Sequence, residues 1–398
     1  MLKRRYPIGA EVTKDGVFFR VWAPKRRHVS VVIEGGGEHA LAPEGGGYFS
    51  GTIARAPAGT RYRFRLDQGK TLYPDPASRF QPDGPHGPSE IVDPFTFRWS
   101  DAGWAGVKLE GQILYEMHIG TFTPEGTWAA AAAKLPLLKD IGVTVLEMMP
   151  VNEFPGEFGW GYDGVDLFAP TRLYGAPDDL RRFVDAAHGL GMGVLLDVVY
   201  NHLGPDGNYL ACFSDGYQTD RYKGEWGNPI NFDGPDSGPV REFFAANAAY
   251  WIDEFHFDGL RIDATQSMFD ASDEHVLANI VRAARDAAGE RSIMRTATGS
   301  MRFGTTTSTT RPWSRSPAGT RPTTRITRER RRNSSRRQNT AICSRGSSMP
   351  IKASAAGRRG SISPPPPSSS LSRTMIRSPT PPAACASINS QAPAEHAR

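Results

Sequence analysis

Cysteine is scarce. The 398 residues hold three, Cys212, Cys343 and Cys385, in no CxxC or metal-ligand spacing. This excludes a disulfide scaffold or a zinc module and makes a reducing compartment the default expectation. No apolar run is long enough to span a bilayer, and Met1 to Pro7 leads into no apolar signal segment. No membrane partner and a cytoplasmic location are therefore expected. Acid is missing from one part of the chain. From Met294 onward there are 19 Lys and Arg but only two acids, Glu329 and Glu395, leaving 28 basic and 40 acidic residues before that point. The net charge of +5 thus combines a tail of +17 with a body of −12. The pI near 9.1 belongs to the tail and is no nucleic-acid signature for the whole chain. The tail has one Trp, Trp313, and one Phe, Phe303. The aromatic interleaving of a single-strand binder is absent, so the Arg328 to Arg332 cluster is not read as a nucleic-acid arm.

The body is patterned. Val17 to Trp22, Val29 to Ile33, Tyr48 to Ile53 and Tyr62 to Leu66 alternate or run apolar, with Gly-rich turns at 14–16, 35–37 and 45–47. Short strands at that spacing predict a β-sandwich over 1–98. A carbohydrate-binding role fits it, as does a plain packing role. Pro74 to Pro88 is a Pro/Gly-rich connector with no period.

From Gln112 strands alternate with helices. Strands are expected at 113–119, 143–149, 193–202 and 257–265, with the start of a fifth at 291–293. Helices are expected at 128–140, 177–188, before Phe255, and at 273–288. This alternation predicts an α/β fold, the N-terminal half of a (β/α)8 TIM barrel over 99–293. Four strands and a beginning cannot close such a barrel, so it reads as truncated. The tail, 294–398, has no apolar periodicity, is rich in Ser, Thr, Arg and Pro, and reads as disordered.

Phe257-Asp-Gly-Leu-Arg-Ile-Asp-Ala-Thr265 organises the rest. Alternation puts Leu260 and Ile262 on one face and Arg261 and Asp263 on the other. A strand ending on a carboxylate with an Arg two residues earlier suits the C-terminal face of a barrel, where the Arg keeps the carboxylate ionised. Asp197, Asn201 and His202 end the third strand, His118 lies on the first, and Trp160 and Tyr162 sit on the loop after the second. Singly, each has a duller reading: His118 as a core histidine, Asp197 as a strand cap, Tyr162 as a loop aromatic. Together, carboxylates, histidine donors and aromatic faces suit a sugar site.

Asp197-Val-Val-Tyr-Asn-His202 and Gly259-Leu-Arg-Ile-Asp263 resemble two signature regions of the α-amylase superfamily of retaining glycosidases (glycoside hydrolase family 13). Tyr115 to Thr127, Phe158 to Gly164 and the Asp75 to Pro88 connector resemble the branch that releases trehalose from maltooligosyl-trehalose. The similarity covers residues 7 to 293. The glycogen-branching enzymes share the sandwich, connector and strand motifs and are the alternative. The resemblance implies Asp263 as nucleophile, Arg261 as its orienting partner and Asp197 behind them. It implies His118 and His202 hydrogen-bonding the sugar at the cleaved bond, Asn201 beside them, and Tyr162 stacking beneath. It further implies an α-glucan or maltooligosyl-trehalose substrate, functional pairing with a maltooligosyl-trehalose synthase, and no metal or organic cofactor.

It also implies an acid/base Glu ending the fifth strand and an Asn-His-Asp motif later, and neither is present. No acid lies between Glu290 and Glu329. Thr374-Met-Ile-Arg377 is compatible with codons that read Asn-His-Asp-Gln in a shifted frame. The same shift turns Ser300 to Thr310 into another string typical of this branch. Two such matches in family order indicate a frameshift near Ile293. As written, the chain is expected to be inactive and poorly folded, a non-catalytic glucan-binding remnant being a further alternative.

Overall fold

In the sandwich, alternation of apolar and polar residues builds two facing layers. A computed structural model describes residues 4–292 and the backbone of 294–297; the tail expectation lies outside the described residues. One sheet orders Gly9–Thr13, Gly16–Trp22, Tyr48–Ile53 and Ala42–Pro43. The other orders Gly37–Ala40, Val29–Ile33, Arg61–Leu66 and Leu72–Tyr73, with Ser89–Glu90 also pairing Arg61–Leu66. Phe19, Val21, Val31, Tyr62 and Phe64 fill the space between them.

Five parallel strands follow, in sequence order: β1 (Leu114–Met117), β2 (Val145–Met148), β3 (Gly193–Val198), β4 (Gly259–Ile262) and β5 (Met294–Ala297). Leu146, Met148, Val194, Leu196, Leu260 and Ile262 face the helices and join one core. The opposite face carries Glu116 beside Glu147, and Asp197 beside Arg261. The helices are α1 (Trp128–Ala132), α2 (Leu135–Asp140), α3 (Pro177–Gly189), α4 (Ser237–Glu254) and α5 (Val276–Ala288). The single helix expected over 128–140 is two, because Pro136 has no N–H for the Ala132 carbonyl. The third strand stops at Val198, so Asn201 and His202 lie on the loop beyond it and do not end the strand. The fifth strand begins at Met294, after the expected start at Arg291. The long loop expected over 203–238 contains a turn of helix at Leu210–Phe213, and Phe213 packs on Phe64 of the sandwich.

The connector has no regular period, yet it is mostly buried. Asp75 accepts from Tyr62 Oη at 2.7 Å, and Arg79 pairs with Glu254 of α4 at 3.2 Å, both side chains being buried. Trp22 and Tyr48 enter the barrel core, with Trp22 edge-on to Tyr217 at 5.1 Å.

The N-terminal face of the strands is closed by the segment leading into β1. Val107 packs on Val145 and Leu195. Asp101 accepts from His188 Nδ1 (2.8 Å) and His256 Nδ1 (2.7 Å). His188 Nε2 donates to Asp258 (2.9 Å), whose oxygens also take the Val194 N–H (2.8 Å) and the Trp104 indole N–H (2.6 Å). Both His188 nitrogens face carboxylate oxygens, and these hydrogen bonds favour the protonated ring and raise its pKa against burial. Trp104 stacks on it at 4.6 Å and Trp99 on His256 at 3.7 Å. Among the described residues, no helix is long and apolar enough to cross a membrane.

Candidate active site

Every carboxylate of the site leaves a parallel strand at its C-terminal end, which is where a barrel gathers reacting groups. Asp197 is the fifth residue of β3, and Asp263 follows β4 directly. The Asp263 backbone is held on both sides: its N–H donates to the Val198 carbonyl at 3.0 Å, and its carbonyl accepts from Asn201 Nδ2 at 3.0 Å. Ala264 next to it is in the left-handed region at φ 41°, a costly turn for a residue with a Cβ.

Arg261 Nη1 lies 2.8 Å from Asp263 Oδ1 and also donates to Asp197 Oδ2. Tyr162 Oη donates to the same Asp197 oxygen at 2.8 Å. Asp197 is fully buried, and its Oδ1 has no hydrogen-bond partner. Burial pushes the Asp197 carboxyl up to about 6, against the hydrogen bonds from Arg261 and Tyr162. Burial would lower the Arg261 guanidinium, but the hydrogen bond to Asp197 and the Asp263 charge raise it. The Tyr162 hydroxyl is raised by burial and by Asp197. Glu147, one layer below, is raised by burial and by the like charges of Glu116 and Asp197.

Two aromatic walls come from the loops beyond the strands. On one, a cavity of about 380 Å³ is lined by His118, Thr121, Phe154, Phe158, Trp160 and Tyr174, among others. His118 caps the short helix after β1, with Trp160 edge-on at 4.9 Å. Its Nε2 is 2.9 Å from the Gly159 carbonyl and 2.8 Å from Tyr174 Oη, and its Nδ1 is 3.1 Å from Thr121 Oγ1. Both ring nitrogens therefore have protein partners, a difference from the sugar contact expected of His118. Burial lowers its pKa, partly offset by the Gly159 carbonyl. On the other wall, His202 Nδ1 donates to Asn201 Oδ1, and the His202 ring stacks on Trp226 at 4.9 Å. Burial lowers the His202 pKa. Trp160 and Trp226 are 60% and 51% exposed, faces that a sugar ring can cover.

The structure thus brings Asp263, Arg261, Asp197, Tyr162 and Asn201 into one hydrogen-bonded set, with His202 attached through Asn201. His118 and Trp160 form a separate wall. Tyr174, Thr121 and Trp226 escape the sequence reading. A Trp between two glycines, Gly224-Glu-Trp-Gly227, was the available signal for the last. Among the described residues, no group of His, Cys, Asp and Glu could hold a metal ion.

Two family models match the chain: "Carbohydrate-binding module 48 (Isoamylase N-terminal domain)" over 7–95 and "Alpha amylase, catalytic domain" over 77–226. A malto-oligosyltrehalose trehalohydrolase of Deinococcus radiodurans is 47% identical over 274 residues, 69% of this chain and 44% of that protein. A 1,4-alpha-glucan branching enzyme of Corynebacterium jeikeium is 36% identical over 282 residues, 66% of this chain and 39% of that protein. A Salmonella typhimurium structure, provisionally described as an α-amylase, superposes with a TM-score of 0.70 at 44% identity, covering 73% of this chain and 49% of that one. The chain spans about half the length of the relatives it matches. It belongs to the α-amylase superfamily of glycosidases.

Proposed function

We propose that the chain carries the nucleophile half of a retaining glycosidase that cleaves the α-1,4 bond next to the trehalose end of maltooligosyl-trehalose. The observation that carries this reading is the Arg261 clamp, which holds Asp263 2.8 Å away beside the buried Asp197. Asp263 attacks the anomeric carbon to form a glycosyl ester, and Arg261 keeps it ionised and aimed. Tyr162 lies beneath the reacting sugar, and Trp160 with His118 takes the next one. Asn201 and His202 fix the loop beside the nucleophile. A cytoplasmic location and pairing with a maltooligosyl-trehalose synthase belong to the same proposal.

Retention also needs a carboxylic acid about 5 Å from the nucleophile. Strand β5 ends on Thr296-Ala297, and no acid follows before Glu329. The frameshift near Ile293 accounts for this. The purified 398-residue chain should release no trehalose from maltooligosyl-trehalose; measurable release would overturn that expectation. Resequencing the codons for Arg282 to Phe303 should restore a frame with a Glu shortly after Ile293. An unchanged frame would make the lesion real. A branching-type transferase is the second reading, favoured by the similarity to the branching enzyme. Transfer products from amylose by a frame-restored protein, with no free trehalose from maltooligosyl-trehalose, would establish it. A non-catalytic glucan-binding remnant is the third, favoured by the missing acid.

A further inference from the structure

The short turn Arg172–Tyr174 touches both His118 and the loop that carries Trp160. Tyr174 is buried, edge-on to His118 at 5.7 Å and to Trp128 at 5.9 Å, with its hydroxyl 2.8 Å from His118 Nε2. The Gly159 carbonyl, 2.9 Å from the same nitrogen, can only accept. The Nε2 proton is therefore shared between Gly159 O and Tyr174 Oη, and the single Thr121 hydroxyl hydrogen has two acceptors in reach, Nδ1 at 3.1 Å and the His118 carbonyl at 3.4 Å. Two residues back, the Arg172 guanidinium grips the loop that carries Trp160 and Tyr162. Nη1 pairs with Glu153, which is fully buried at the base of that loop, and Nη2 donates to the Gly156 carbonyl at 3.1 Å. Glu153 also accepts the Arg172 backbone N–H at 2.9 Å. Gly84 of the connector abuts this guanidinium: a Cβ there would lie 3.2 Å from Arg172 Cζ.

We propose that Arg172 and Tyr174 are positioning residues for the sugar-binding wall. Tyr174 fixes the His118 ring and its proton, and Arg172, through Glu153 and the Gly156 carbonyl, fixes the loop that presents Trp160. The inference rests on reading that wall as a sugar site. The turn makes no sugar contact itself. It sets the angle between the His118 ring and the Trp160 face, the two sides of the cavity that a sugar ring would enter.

The test uses the 398-residue chain with two readouts, maltoheptaose titration and the side-chain ¹⁵N signals of His118. In the unsubstituted chain, His118 should show one neutral form with its proton on Nε2. Tyr174→Phe keeps the ring packing and should shift the Nε2 signal and weaken maltoheptaose about 3–10-fold, the size of one lost hydrogen bond. Arg172→Lys keeps the charge but loses the fork and should weaken binding by a similar factor. The double variant should give two His118 tautomers in exchange. His118 signals unchanged in all three variants would overturn the proposal, whatever the sugar does. Absence of maltoheptaose binding by the unsubstituted chain, with His118 signals moving as described, would instead sink the sugar-site reading and leave the positioning role standing.

Discussion

Strand β4 carries an aspartate at each end, and the two are surrounded in opposite ways. Asp258, before the strand, is fully buried, and both of its oxygens accept from Trp104, Val194 and His188. Asp263, after the strand, is 20% exposed and has Arg261 on one oxygen. Each belongs to a carboxylate–cation–carboxylate set, Asp101–His188–Asp258 at one end and Asp197–Arg261–Asp263 at the other. The lower set is buried and capped by stacked tryptophans. The upper one leaves the buried Asp197 Oδ1 without a partner and Asp263 partly exposed. The same chemistry is a staple where all three groups are buried, and a candidate reactive centre where one carboxylate, Asp263, stays partly exposed.

The largest expected effect breaks that symmetry. Asp258→Ala leaves three donors around a buried site, the Trp104 indole N–H, the Val194 N–H and His188 Nε2, without an acceptor and should cost about 3–5 kcal/mol of unfolding free energy. Asp263→Ala should cost no more than about 1 kcal/mol, because Arg261 keeps Asp197. Urea melts of both variants read the difference, and equal losses would erase the distinction.

Next comes pH. Burial would lower the His188 pKa, but its hydrogen bonds to Asp101 and Asp258 raise it, and Asp101 is depressed below the carboxylate range against its own burial. A raised histidine contributes in full below about 6.5, and its contribution is lost as pH rises through the folded value. A depressed aspartate contributes above about 3.9 and loses it as pH falls. The melting-temperature advantage of the native chain over His188→Gln should therefore be greatest between those limits and shrink above about 6.5. A difference constant from about pH 5 to about pH 9 would contradict this. The upper set runs the other way. Asp197 takes up a proton below about 6, which loosens the Arg261 clamp, so reactivity at Asp263 should fall as pH drops through that value.

Strand β4 was legible because two residue types alternate with period two over five positions, and the signature on β3 because it is contiguous. The lower set was not. Asp101 with Trp104, His188 and Asp258 come from three separate stretches, and no local period brings them together. The connector read as irregular because its Pro and Gly residues break periodicity, and its burial depends on where α4 lies. Asn201 and His202 looked like strand residues because Val198-Val-Tyr200 is apolar, yet Tyr200 leaves the ladder to bond Asn247 at 2.7 Å. His118 looked free for sugar because the carbonyl that holds it, Gly159, lies 41 residues away.

The smallest effect concerns the turn after the nucleophile. Ala264 at φ 41° costs about 1–2 kcal/mol relative to glycine in that region, and glycine gives back about 0.5–1 kcal/mol in chain entropy. Ala264→Gly should therefore raise stability by no more than about 1.5 kcal/mol, and a clear loss would argue against the strained turn.

The central claim is that Asp263 is a nucleophile already held in place by the described half of the barrel. α-Maltosyl fluoride tests it directly, because fluoride leaves with its electron pair and needs no acid catalyst. Asp263 would form the bond to the anomeric carbon as the C–F bond breaks, and with no base to activate water the ester should accumulate. The account predicts an intact-mass increase of one maltosyl unit, mapped to the peptide containing Asp263 and absent from Asp263→Ala. No adduct on a chain that melts cooperatively, or an adduct that survives Asp263→Ala, would contradict it.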